Sequence, residues 1–178
     1  MAFFERIGSF LASLPSELYV FIISMLPIIE LRGSIPVGAA LGLPFYSSYL
    51  VSVVGNLLPV PFILLFIPRI LDFLARFKIF RPIVKWLRDK ADKHSHRVIK
   101  DDSGAEHVVM SAGVFTALLL FVAIPLPGTG AWTGSLVAAL FNLPKRWSAL
   151  AITLGVLISG AIMTLASYGV LGFLSFLL

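Results

Sequence analysis

The sequence predicts an all-α integral membrane protein made of two inverted repeats. Each repeat is a re-entrant helical hairpin plus one transmembrane helix, and a basic amphipathic linker joins the two. Three observations predict this. Of 178 residues, 58% are hydrophobic and 13% charged, about half the charged share of a soluble domain. The charge is also concentrated: nine of the fourteen Lys and Arg fall between Arg76 and Lys100, while Leu18–Leu71 carries only Glu30, Arg32 and Arg69, and Met110–Leu178 only Lys145 and Arg146. Third, the chain matches itself when slid by one hundred positions.

The pI of 9.8 would suit a nucleic-acid binder, but apolar runs on both sides of the basic stretch do not, so membrane lipids and not nucleic acid are the expected partners. Cysteine is absent, which removes disulfides, a thiolate nucleophile and any Cys-based metal site. The chain reads as a single membrane domain, 1–178, in four parts: an interfacial helix (1–14), repeat 1 (16–74), a cytoplasmic linker (75–110) and repeat 2 (111–178).

In the first part, Phe3, Phe4, Ile7, Phe10, Leu11 and Leu14 recur at helical spacing with Glu5, Arg6, Ser9 and Ser13 between them. That pattern suits an amphipathic helix at the membrane surface. It is not a cleavable signal, which needs a positive segment, an apolar segment and a small-residue cleavage site in that order.

The repeats pair Leu18–Leu74 with Leu118–Leu174 without gaps, with sixteen identities in fifty-seven positions. Matches of punctuation count for more than matches of leucine: Leu26-Pro27 with Leu126-Pro127, Leu43-Pro44 with Leu143-Pro144, and Gly55 with Gly155. Proline and glycine set backbone geometry, so their coincidence implies two copies of one path. Each copy has a first apolar stretch interrupted by Pro and Gly (Pro27–Pro36 and Pro125–Gly134) and a second long enough to span, Phe45–Leu74 and Lys145–Leu174. A span takes about 20 apolar residues, and the closely spaced prolines and glycines rule out an unbroken helix in the first stretch.

The first stretches either cross as broken helices or turn back as re-entrant hairpins. The positive-inside rule favours hairpins. They put the uncharged Pro44 turn outside and the Pro144 turn, with Lys145 and Arg146, inside with the linker. Irregular backbone at membrane depth is tolerated only where it is buried in protein or lines a watery cavity, so the two breaks are expected to meet.

Glu30 and Arg32 are the ionisable residues of the first break, and such residues default to function in a membrane. Glu30 is a candidate acceptor for a coupling proton or cation. Arg32 is a candidate clamp for a carboxylate or phosphate. Gly33 and Ser34 would expose amides to an anion at the start of a half-helix. The second break offers Pro127, Gly128, Thr129, Gly130, Trp132 and Thr133, with freed backbone groups, hydroxyls and one amphipathic ring. Gly38-x-x-x-Gly42 and Gly130-x-x-x-Gly134 also fit close helix packing. Asn56, followed by Pro59, Pro61 and Pro68, is the polar residue to watch in the long helices. The prolines can kink that helix and free carbonyls; alternatively Asn56 makes an interhelical hydrogen bond. Ser52, Thr153, Ser159 and Thr164 read as packing residues.

In the linker, Phe77, Phe80, Val84 and Leu87 share a helical face among Lys78, Arg81, Lys85 and Arg88, a basic amphipathic helix for anionic headgroups. Asp101–Gly104 reads as a turn. His94 and His96 lack the further ligands a metal needs, so no metal and no cofactor is expected. Nor is an enzyme: no histidine lies in an apolar segment, the deep region has one carboxylate, and there is no P-loop.

Glu30-Leu-Arg-Gly-Ser-Ile-Pro36 together with Pro125-Leu-Pro-Gly-Thr-Gly-Ala-Trp-Thr-Gly134 resembles the prokaryotic small multidrug export family, across essentially the whole chain. The architecture is also distantly similar to DedA-type transporters, which are associated with phosphate-headed lipids, although the charged residues these carry after the second break have no counterpart between Ser111 and Pro144. The resemblance implies a transporter in the prokaryotic inner membrane. Three functions follow as expectations: ion-coupled export of small amphipathic compounds by alternating access; translocation of phosphate-headed lipid carriers or phospholipids; or a non-transporting scaffold whose Glu30–Arg32 pair is structural. A homodimer is also expected, since so small a domain has little interior of its own.

Overall fold

A computed structural model describes residues 14–77, Pro82, 96–100 and 106–177. The amino-terminal interfacial helix, the basic amphipathic helix of the linker, His94 and the Asp101–Gly104 turn lie outside these residues. The described elements run α1 (Ser16–Ser24), α2 (Glu30–Ala40), α3 (Phe45–Leu57), α4 (Pro59–Leu74), β1 (His96–Lys100), β2 (Glu106–Met110), α5 (Ala112–Ala123), α6 (Ala131–Leu140) and α7 (Lys145–Leu177).

Outside the linker the described elements are all helices, as the hydropathy requires. The linker adds one short hairpin to this helical fold. Strands β1 and β2 pair antiparallel, with Val98 opposite Val108 and Ile99 opposite His107. The signal was present in the β-branched residues on both sides of the Asp/Gly-rich segment.

Both apolar stretches that precede a Pro44-type turn are interrupted. Helices of 9 and 11 residues flank the first break, and of 12 and 10 residues the second. At about 1.5 Å per residue each is some 14–18 Å long, little more than half a hydrocarbon core. By contrast Phe45–Phe73 (29 residues) and Lys145–Gly169 (25 residues) are long and apolar enough to cross a membrane. The first of these is not one regular helix. Its ladder is interrupted at Leu58, between α3 and α4, because Pro59 and Pro61 have no N–H to give the carbonyls of Gly55 and Leu57.

The chain divides into two compact units: Met1–Leu58 with Leu157–Leu178, and Pro59–Val156. In the first unit, α1 packs on α2 and α3, and α2 on α3. The later part of α7 joins them. Tyr49 Oη donates to the Leu157 carbonyl (3.2 Å) and Tyr168 Oη to the Leu43 carbonyl (2.8 Å), and Gly160 lets Tyr49 and Val53 approach. In the second unit, α6 packs on α4 and α5, and Phe115 meets Trp147 edge-on at 6.3 Å.

The same local geometry recurs one hundred residues apart. Helix α2 ends in a Schellman motif, with the Gly42 N–H on the Ala39 carbonyl and the Leu43 N–H on the Gly38 carbonyl. Helix α6 ends in the same bonds, from Asn142 to Ala139 and from Leu143 to Ala138. Gly42 has φ 77° and Asn142 φ 49°. Gly42 meets nothing within 4 Å where a Cβ would stand. Gly42→Ala is therefore expected to destabilise by about 1 kcal/mol through the backbone alone. Gly42→Asn should be closer to neutral, as Asn142 indicates, and thermal melts of the purified variants check the ranking.

One part of the ungapped alignment is corrected. Gly55 faces Phe21 and Ser24 of α1, whereas Gly155 faces Leu119 and Val122 of α5. The helices before the breaks thus correspond at ninety-eight residues, not one hundred, and the second break is two residues longer. Pro27 and Pro127 match in sequence without matching in place.

Candidate functional site

The tip of the first break is exposed, with Ile28 95% accessible. Two residues further on the chain turns inward. Glu30 opens α2 with only 5% of its surface exposed and φ 50°. Its N–H donates to the Leu26 carbonyl at 2.9 Å, which ties the tip back onto the residues leaving α1. A left-handed conformation costs a non-glycine residue about 1–2 kcal/mol, and such strain persists where the surroundings over-determine it. Arg32 is half-buried and interacts electrostatically with the Glu30 carboxylate.

Gly33 is half-buried against Ile29. Ser34 is fully buried and donates to Ser52 Oγ of α3 at 2.7 Å. Its hydroxyl thus belongs to a helix contact instead of a free anion-binding edge. Below it, Ser48 Oγ donates to the Ile35 carbonyl at 3.3 Å, and Gly38 leaves room for Ser48. Asn56 lies two turns beyond Ser48 on the same face, with 0% exposure. Neither its Oδ1 nor its Nδ2 has a hydrogen-bond partner among the described residues, so the interhelical bond expected of it is not made.

The second break is built differently. Pro127 and Gly128 are exposed, and Gly128 (φ 81°) turns the chain in open space. Thr129 Oγ1 reaches the carbonyls of Ile124 and Leu126 at 2.9 Å each, closing the turn on itself. Gly130, buried with φ 144°, caps α6. Half-buried Thr133 bonds back to the Gly130 carbonyl at 3.4 Å, and Trp132 is half-buried beside it. The glycine pairs divide their labour. Gly38 and Gly134 pack against side chains, Gly134 against Val122, while Gly42 and Gly130 supply positive φ.

Set at the same spacing, the two halves both bury a serine at Ser48 and Ser148 but differ in chemistry at four other buried positions. Where the first has Glu30, Ser34, Ser52 and Asn56, the second has Gly130, Gly134, Ile152 and Val156. All eight residues are buried. Small or apolar side chains therefore suffice for these helix contacts, and the polar set in the first half is additional to what the fold needs. Sequence reading singled out Glu30, Ser34 and Asn56 but assigned Ser52 and Ser159 to packing. Thr164 fits that assignment, donating to the Gly160 carbonyl at 2.8 Å. Ser159 is 1% exposed, and its Oγ has no partner among the described residues. The proline at Gly55's i+4 position was the available signal that polar backbone is freed nearby.

Long apolar helices, paired interrupted helices and a buried carboxylate beside a half-buried arginine define a helical membrane protein. The sequence profile described as "putative small multi-drug export protein" matches residues 30–162. The chain belongs to this family, whose class is export rather than enzymatic. No curated protein and no solved structure matches the chain.

Proposed function

We propose that the chain is a secondary transporter that exports small amphipathic compounds by alternating access, with Glu30 carrying the coupling ion and Arg32 orienting it. In this reading the interrupted segments are re-entrant hairpins of two inverted repeats, and the protein sits in the prokaryotic inner membrane with linker 75–110 in the cytoplasm. Family membership supports export. The observation that carries the mechanism is Glu30 itself. It is a buried carboxylate held at φ 50°, at the position where the other half has Gly130. Glycine would adopt that backbone without strain, so the retained side chain is best explained by what its carboxylate does. A group that gains and loses a cation while buried changes the charge of its surroundings, which is what couples an ion gradient to a change of access.

The test is flux. In proteoliposomes with an imposed proton or sodium gradient, wild type should move a lipophilic cationic dye against its gradient. Glu30→Gln, which keeps shape and hydrogen-bonding capacity, should leave only passive leak. Undiminished driven flux in Glu30→Gln would remove Glu30 from the mechanism.

A further inference from the structure

The polar residues of the first unit form a seam with a definite register. Helices α2 and α3 run antiparallel across the Gly42 turn, with Gly38 against Ser48 and, one turn further along each, Ser34 bonded to Ser52. The next step of that register sets Glu30 at the level of Asn56. The later part of α7 runs antiparallel to α3: Tyr168 bonds at Leu43, and Gly160 lies against Tyr49 and Val53. This register brings Ser159 to the level of Ser52, one turn short of Asn56. Asn56 and Ser159 are both buried, and their polar atoms have no hydrogen-bond partner among the described residues. At the same level Pro59 leaves the Gly55 carbonyl without the donor a regular helix would supply.

We propose that this seam binds a partly dehydrated monovalent cation, sodium, through Asn56 Oδ1, the Glu30 carboxylate, the hydroxyls of Ser52 and Ser159, and the Gly55 carbonyl. Hard oxygen donors suit a hard cation, and carbonyls released by a broken membrane helix are a recurrent coordinating group for coupling ions. The charge count selects the valence. One carboxylate, partly offset by Arg32, does not compensate a divalent ion stripped of its water. A water retained by the sodium accepts from Asn56 Nδ2, so both ends of the amide are satisfied. The second half has Val156 and Ile152 where the first has Asn56 and Ser52, so the seam is single. The proposal rests on the coupling role of Glu30 and names the ion and the residues that hold it.

Binding is measured without transport. Purified full-length protein in detergent is melted across a sodium chloride series, with choline chloride holding ionic strength constant. Wild type should show a saturable rise in melting temperature with sodium that choline does not give. Asn56→Val, the side chain the other half carries at this position, should reduce the sodium affinity at least tenfold while melting in choline at or above wild type. Should Asn56→Val fail to fold, Ser159→Ala is read instead, with weakened sodium affinity and unchanged melting in choline. A wild-type response identical in sodium and choline overturns the proposal. So does full sodium response in the folded variant, or a rise produced by acidification in choline but not by sodium, which would make the occupant a proton. Intact sodium binding with no driven dye flux would discard the export reading and leave the site standing. Driven flux with no sodium binding would do the reverse.

Discussion

Gly55→Leu should yield no stably folded protein, whereas Gly169→Leu should melt like wild type. A Cβ at Gly55 would stand 2.6 Å from the carbonyl oxygen of Phe21 and within contact of Ser24 Oγ. The serine can rotate but the carbonyl, part of the α1 backbone and acceptor of the Ser24 hydroxyl, cannot. Any side chain therefore forces α1 away from α3, and with it the contacts of α1 across the first unit. Overpacking inside a close-packed interior typically costs 1–3 kcal/mol (an order-of-magnitude range). A leucine meeting backbone should reach or exceed the top of that range, a large fraction of a stability that totals only about 5–15 kcal/mol. Gly155→Leu should behave alike, because there a Cβ would meet the Leu119 carbonyl at 2.9 Å and Val122 Cβ at 2.7 Å. Gly169 has nothing within 4 Å and serves as the control. Monodispersity by size exclusion and the melting temperature in detergent check all three. A Gly55→Leu protein as stable as the control would show that α1 and α3 do not cross closely.

Replacing Glu30 by glycine should separate stability from activity. Glycine and glutamine both remove the carboxylate and both leave Arg32 without its electrostatic partner, so their difference isolates the backbone. At φ 50° glycine is unstrained, and Glu30→Gly should be more stable than Glu30→Gln by about 1 kcal/mol. Both should lose ion-driven dye flux entirely. Equal stability of the two would mean that position 30 stores no backbone strain. Driven flux in the glycine variant would return Glu30 to a purely structural role.

Much of this was legible in the residues, and the reasons differ from place to place. The long helices follow from uninterrupted hydropathy, and the interruptions from prolines and glycines whose effects are local. Local effects survive translation from sequence to structure. The ninety-eight-residue offset of the first helices was not legible, because apolar side chains align as well in either register and the paired Leu-Pro dipeptides pointed the wrong way. Nor was the conformation of Glu30, since nothing in a glutamate announces a positive φ; only the glycine at the corresponding position hints at it in retrospect. The unpartnered state of Asn56 depends on what stands across from it on α2 and α7, and such long-range pairings carry no sequence period. The β-hairpin was readable from Val98, Ile99, Val108 and Val109, but the dominant basic charge of the linker directed attention to a helix.

The bond from Tyr168 to the Leu43 carbonyl joins residues 125 apart, and that from Tyr49 to Leu157 joins residues 108 apart. Both lie in the first unit, which draws on the two extremes of the chain. A ribosome delivers α1, α2 and α3 long before it delivers the stretch of α7 that completes their packing. During that interval Asn56 and the face of α3 around Val53 await their neighbours in the lipid. Packing of the first unit therefore waits for α7, and a nascent chain arrested before Tyr168 is the form that membrane quality control would meet.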